Sequence, residues 1–167
     1  MRVRPEQPAD IPAITAVTIA AFALAEHAGH NEHLIVDALR RSGQLAVSLV
    51  AEDDAGVLIG HVALSPVAVS DGARDWYGLG PISVVPVRQG RGVGTLLMQA
   101  ALKTLRRLDA AGCVLVGDPG YYVRFGFRNE PALVYPGLPA KYFQAIAFKG
   151  EVPRGTVAYH ESFSTPC

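Results

Sequence analysis

Cysteine is almost missing from this chain: Cys113 sits in an apolar run and Cys167 is the last residue. Two thiols so placed do not make the framework of a disulfide-stapled secreted domain, and neither has metal-ligand spacing. They read as reduced thiols, Cys113 a small buried apolar side chain and Cys167 a free tail thiol. Charge is scarce as well. Only 18% of residues are charged, and 15 Lys plus Arg balance 15 Asp plus Glu. No global field therefore favours nucleic acid or an anionic membrane as partner. No apolar run approaches the ~20 residues of a membrane span. Repeats, low-complexity tracts and long linkers are also absent. What is present is 167 residues, 50% of them hydrophobic. That fits one domain over residues 1–167, since domains run about 100 to 200 residues, and a chain near that size buries roughly 70% of its extended surface.

One stretch imitates a secretory leader. Arg2 and Arg4 precede the uncharged run IPAITAVTIAAFALA, 11–25, which ends in an A-x-A sequence. Glu6 and Asp10 ahead of the run, prolines at its edge and threonines within it argue the other way. Ile11, Ile14, Val17, Thr18, Ala21 and Phe22 recur at helical spacing behind an Asp10 cap, which predicts an amphipathic helix over 10–25. The expected location is the cytoplasm.

The remaining elements follow in a mixed order. A strand is expected at 1–4, and a second helix opens in Glu-His-rich 26–33, runs through Leu34, Ile35, Ala38 and Leu39, and stops at Ser42-Gly43. Two β-rich runs, 45–52 and 57–70, flank the turn sequence DDAG. A further strand is expected at 79–85. The strongest helix covers 92–111, with Val93, Leu96, Leu97, Ala100, Ala101, Leu105 and Leu108 as its apolar stripe and Gly112 as its C-cap. After it come a short buried strand at 113–116, one or two helical turns at 121–125, and late strands at 145–148 and 156–163. The fold class is α+β, or mixed α/β.

The junction between strand 79–85 and helix 92–111 reads VVPVRQGRGVGT. A first helical turn leaves about four N–H groups without partners, and the macrodipole adds roughly half a positive charge. An anion can satisfy both if no side chain blocks it. Gly90, Gly92 and Gly94 remove those side chains, and Arg88 and Arg91 add charge. Tight packing of helix against strand is the plainer explanation of the same glycines. The Walker phosphate loop fits poorly, because Gly94 is followed by Thr95 and not by lysine. The dinucleotide fingerprint fails in its glycine spacing.

Val84-Val85-Pro86 followed by Gln89-Gly90-Arg91-Gly92-Val93-Gly94, with Tyr122-Val123-Arg124-Phe125-Gly126-Phe127 downstream, resembles the signature of the GNAT superfamily of acyl-CoA-dependent N-acetyltransferases. The phrases GLGPISVVP, GDPGYYVRFGF and GTVAYHESF look like one bacterial branch of it and extend the likeness over nearly the whole chain. The resemblance implies a mixed central sheet, largely antiparallel, flanked by helices and with one splayed parallel pair. It implies acetyl-CoA as cosubstrate and CoA as product. The backbone of Ile82, Ser83 and Val84 would pair with the pantetheine arm, while Gln89, Gly90, Arg91, Gly92, Val93, Gly94 and Thr95 would cradle the pyrophosphate. Tyr122 would be the acid that protonates the leaving sulfur, a role its high intrinsic pKa permits. Tyr121 is the adjacent competitor. Asp118-Pro119 departs from the family's usual approach to this tyrosine.

The rest of the chemistry stays open. Glu26, His27, His30, Glu32 and His33 are candidates for a general base and equally for a solvated loop and helix start. Without supporting Cys or Asp ligands their spacing calls for no metal. His61 reads as a structural histidine, and Trp76-Tyr77 as either an acceptor entrance or packing over the sheet edge. The expected reaction is acetyl transfer to the primary amine of a small molecule or protein by direct attack in a ternary complex. A non-catalytic acyl-CoA-binding module and a nucleotide-binding protein are the competing readings. The resemblance also implies a homodimer through the late strands.

Overall fold

Strand β3 (Leu58–Val69) organises the sheet, because three other strands pair along it. A computed structural model describes residues 1–26 and 28–167 of the chain. β1 (Arg2–Pro5) pairs antiparallel with β2 (Val47–Glu52), and β2 with β3. β3 pairs antiparallel with β4 (Trp76–Val84), which lies parallel to β5 (Gly112–Val116), and β7 (Phe143–Ala147) closes that side antiparallel to β5. The outer end of β3 turns away from β4 to meet β8 (Gly155–Tyr159), and β8 carries β6 (Leu133–Val134) in a second short parallel contact.

Alternation along the strands assigns the two faces. Leu49 and Ala51 of β2 and Val62 and Leu64 of β3 pack with Leu97, Met98, Ala101 and Leu105 of α3 (Val93–Arg107). Val50 and Ala63, between them in sequence, pack instead with Ile14 of α1 (Ile11–Phe22) and Val36 of α2 (Glu32–Arg41). Successive strand side chains point to opposite faces, so α3 covers one side of the sheet and α1 and α2 the other. β6 and β8 extend the α1–α2 side with Leu133 and Val157, against Trp76, Val114 and Phe143.

The expected elements are present with corrected edges. The stripe on α3 is rotated: Met98 and Leu102 are buried, whereas Leu108 is 52% exposed. α3 ends at Arg107, where Asp109 rather than Gly112 takes the left-handed turn at φ 64. Gly112 opens β5, beneath the Trp76 ring. Asp10 lends no side-chain cap to α1; its carboxylate accepts from Gln7 N at 2.7 Å and from Arg4 Nη1 at 2.7 Å. That guanidinium is what holds the Asp10 carboxyl below the usual carboxylate range. The run that imitates a secretory leader is α1, packed on the sheet through Ile14, Val17 and Thr18. No helix among the described residues is long and apolar enough to cross a membrane.

Candidate active site

Two consecutive turns join β4 to α3. Val85 N donates to Ile59 O, the chain makes a 3-10 turn over Pro86–Arg88, and Gln89 Nε2 donates to the Val84 carbonyl at 3.0 Å. Gly90 and Gly92 then hold φ at 75 and 87, a region that costs L-residues about 1 to 2 kcal/mol. Gly92 is the N-cap of α3 and supplies no side-chain cap. The first internal bond is Leu96 N to Gly92 O, so the N–H groups of Val93, Gly94 and Thr95 have no acceptor among the described residues. They open onto a cleft of ≈ 330 Å³ lined by Gly90, Gly92, Gly94 and Thr95, with Val84 and Gln89 on the strand side. Free amides, a helix dipole and bare glycines make this cleft an anion seat.

Its cations are Arg88 and Arg124, of which only Arg88 was expected from the loop. Arg88 Nη2 also bonds Asp53 Oδ2 at 3.2 Å. Arg124 lies over the Tyr121 ring at 4.5 Å and donates Nε to the Tyr121 carbonyl, which leaves its Nη groups free for a ligand. The side chain of Arg91 is exposed and does not line the cleft, and that of Val93 is buried in the core, so both bring only backbone.

The two tyrosines separate as neighbours on a helical turn must. Both belong to α4 (Pro119–Tyr122), which Asp118 caps by accepting from Gly120 N at 2.9 Å. Tyr121 lines the cleft, and a methyl at Gly94 would come within 3.3 Å of its hydroxyl. Tyr122 turns toward the end of β5. Its ring covers Gly117 so closely that an added Cβ there would lie 2.4 Å from Cε2. Phe127 meets it edge-on at 6.4 Å. The Tyr122 hydroxyl has no partner among the described residues, and burial pushes it up to about 12, so it is a phenol at neutral pH. Buried Gln144 steadies this corner by donating Nε2 to the Gly117 carbonyl at 3.0 Å.

Between the tyrosines and the glycine loop the sheet is open. β4 and β5 pair only at Trp76, Tyr77 and Gly78. Beyond that, Leu115 and Val116 pair with β7, and Ile82 and Val84 pair only with β3. The backbone edge of Ile82, Ser83 and Val84 that faces β5 therefore has no strand beside it. The Ser83 side chain is buried on a sheet face, and the residue is paired with His61 of β3.

At the Leu79 end of this opening lies a second cavity of ≈ 350 Å³. Leu79, Gly80, Pro81 and Val116 line it from β4 and β5, and Phe22, Ile35, Tyr135 and Tyr159 from the surrounding elements. Glu32 reaches it, while His30 and His33 line an adjoining cavity of ≈ 250 Å³ that shares Phe22 and Glu32. Glu26 lines neither, and His27 lies outside the described residues. Trp76 is buried over Gly112 and Tyr77 packs into the α3 core, on opposite faces of a strand paired on both sides, so this pair is neither over a sheet edge nor in the lining of the second cavity. His61 is fully buried, bonded through Nε2 to Ser48 Oγ at 2.8 Å, and desolvation lowers it to about 4.

A helix start with free amides, a parted strand pair and a phenol at the parting occur together here. Residues 17–127 match the acetyltransferase (GNAT) family. The chain belongs to that family. It is 34% identical to the uncharacterized N-acetyltransferase YhbS of Escherichia coli (strain K12), over 98% of this chain and 99% of YhbS. A crystal structure of a GNAT family acetyltransferase from Brucella melitensis, in complex with acetyl-CoA, superposes with a TM-score of 0.86 at 46% identity, covering 97% of each chain. The Escherichia coli YhbS structure, in complex with CoA, gives 0.86 at 34% identity over 98% of this chain and 92% of that one.

Proposed function

We propose that this GNAT enzyme transfers an acetyl group from acetyl-CoA to a primary amine, by direct attack while both are bound. The observation that carries the reading is the continuity of the glycine cleft with the open β4 edge. Family membership and the two similar proteins crystallised with acetyl-CoA and CoA support it. The cleft fits the cosubstrate on its own chemistry: three unpaired amides and two guanidinium groups suit a pyrophosphate. The unpaired backbone of Ile82, Ser83 and Val84 suits the amides of the pantetheine arm, and Pro86, lacking an N–H, helps end strand pairing where the arm turns. Acetyl-CoA supplies an activated thioester; the chain orients it and moves protons. Tyr122, at the tip of β5, donates its proton to the sulfur as the C–S bond breaks. Tyr121 lies along the arm.

The same reading takes residues 1–167 as one domain and places it in the cytoplasm, in keeping with two free cysteines. It includes neither nucleic acid nor membrane as partner, and it pairs two copies through the late strands; sedimentation showing only monomer would remove the pairing. Calorimetric titration with acetyl-CoA, with ATP and NAD as controls, tests the core of the proposal. Selective acetyl-CoA binding followed by amine-dependent thiol release supports it. Equal affinity for ATP, or none for acetyl-CoA, overturns it.

A further inference from the structure

We infer that the acceptor is a primary monoamine carried on an apolar, single-ring or similarly compact body, with its ammonium group held by Glu32. The inference rests on the acetyl-transfer reading and concerns the acceptor half of that site.

The cavity at the Leu79 end reaches the parting of β4 and β5, through Leu79 and Val116, without touching the glycine loop. Its volume, ≈ 350 Å³, lies at the small end of the range of about 300 to 1,000 Å³ for small-molecule sites. One wall is aromatic. Tyr159 packs against Tyr135 at 5.0 Å and against Phe163 at 4.9 Å, and all three rings line the cavity. Leu138 and Ile35 add aliphatic surface.

Glu32 is the single charged side chain among the lining residues, and no Lys, Arg or His accompanies it. One of its oxygens accepts from Gly29 N at 3.1 Å, which fixes the carboxylate at the start of α2 and leaves its second oxygen available. Charge complementarity then selects among amines. An acceptor bearing a carboxylate or phosphate would place an anion beside Glu32 in a cavity whose own lining holds no cation. An amino sugar would lose the hydration of several hydroxyls against apolar walls. A polyamine would strand its second charge on the same walls. One ammonium on an apolar body leaves nothing unpaired, and the ring faces add attraction for the cation. The adjoining cavity shares Phe22 and Glu32, and its Ile19 and Ala23 side gives the apolar body room to extend along α1, across from His30 and His33.

The protons balance. The ammonium passes one proton to Glu32 and on to solvent, and the free lone pair forms the C–N bond as the C–S bond breaks. The nitrogen then loses a second proton, the thiolate gains one from Tyr122, and Tyr122 is restored from solvent. One proton is released per turnover.

The test uses the full chain. Calorimetry with acetyl-CoA comes first, because failure to bind overturns the transferase reading and this inference with it. With acetyl-CoA bound, thiol release is measured with 2-phenylethylamine and tryptamine against spermidine, glucosamine and L-glutamate. We expect kcat/KM for the aryl amines at least tenfold above the polar set. In Glu32→Gln, KM for 2-phenylethylamine rises at least tenfold while the acetyl-CoA Kd stays constant. Leu138→Arg, at an exposed position on the rim, acts in the same direction and tests the charge argument should Glu32→Gln fail to fold. Acetyl-CoA binding with preference for a polar amine, with no aryl-amine turnover, or with KM unchanged in both variants overturns the acceptor class and leaves the donor site standing.

Discussion

The cavities at the two ends of the open β4 edge are built from different materials. The cleft at the Val84 end is chiefly backbone, and apart from Tyr121 and Arg124 its lining falls within one short stretch, from Val84 to Thr95. The cavity at the Leu79 end is chiefly side chain, gathered from α1, α2, β4, β5, β8 and the segments after β6 and β8. A backbone cradle recognises what all acyl-CoA donors share, whereas a side-chain cavity can change its preference residue by residue. On the proposed reading donor binding and acceptor choice are separable, and mutations at one end should leave the other nearly untouched.

The largest expected effect lies where the two ends meet. Tyr122→Phe should lower kcat about 100-fold or more, the usual scale for a lost general acid, with the acetyl-CoA Kd unchanged by calorimetry. Tyr121→Phe should do the reverse, weakening acetyl-CoA while sparing kcat. The opposite partition would exchange the roles of the two tyrosines. Next in size is Gly92→Val. Its φ of 87 makes a β-branched residue costly by about 1 to 2 kcal/mol, and the loop must give up amides to relieve the strain. We expect at least about 30-fold weaker acetyl-CoA binding, corresponding to ~2 kcal/mol, with native circular dichroism and an acceptor KM close to wild type. A matching rise in acceptor KM would break the separation. Arg124→Gln should cost about tenfold in acetyl-CoA affinity and flatten its salt dependence, as expected for a guanidinium on a pyrophosphate.

The smallest effect on activity belongs to His61, which lies behind the β4 edge and lines neither cavity. Desolvation lowers its folded pKa to about 4, below its ordinary value of 6.5. The unfolded chain therefore takes up the proton first. The stabilisation this neutral histidine carries is complete above pH 6.5 and declines as pH falls toward 4. In His61→Gln, urea midpoints should fall less steeply across that window, with kcat at neutral pH within about twofold of wild type, as for a substitution away from the reacting groups. A large loss of kcat would bring His61 into the proton path and end its role as a structural group.

The donor end was legible because its signals are local. A glycine at positive φ, a proline that ends a strand and a helix start without a cap all leave marks within a few residues. The proposed roles of Tyr122 and of Gly90 to Thr95 each rest on one motif. Arg124 stood inside a recognised motif, yet nothing along the chain showed that the 3-10 turn after α4 would bring it to the loop. The errors on α3 are also instructive. Leu108 fits the helical period, but Asp109 takes the left-handed turn and ends the helix before Leu108 can face the sheet. Trp76 acquires its place only from β5 and Leu133–Val134 theirs only from β8, each of which comes later in the chain.

By itself the sequence determined the α+β class, the order of strands and helices, and the glycine-rich, uncapped helix start of the β4–α3 junction, because hydrophobic period and backbone stereochemistry act over a few residues. Only the tertiary structure decided which tyrosine faces the cleft and which covers Gly117. It alone brought Glu32 to the same cavity as Tyr135, Tyr159 and Phe163. Those juxtapositions join residues far apart along the chain, and they exist only once β8 has left β4 to pair with β3 and the sheet has opened beyond Gly78.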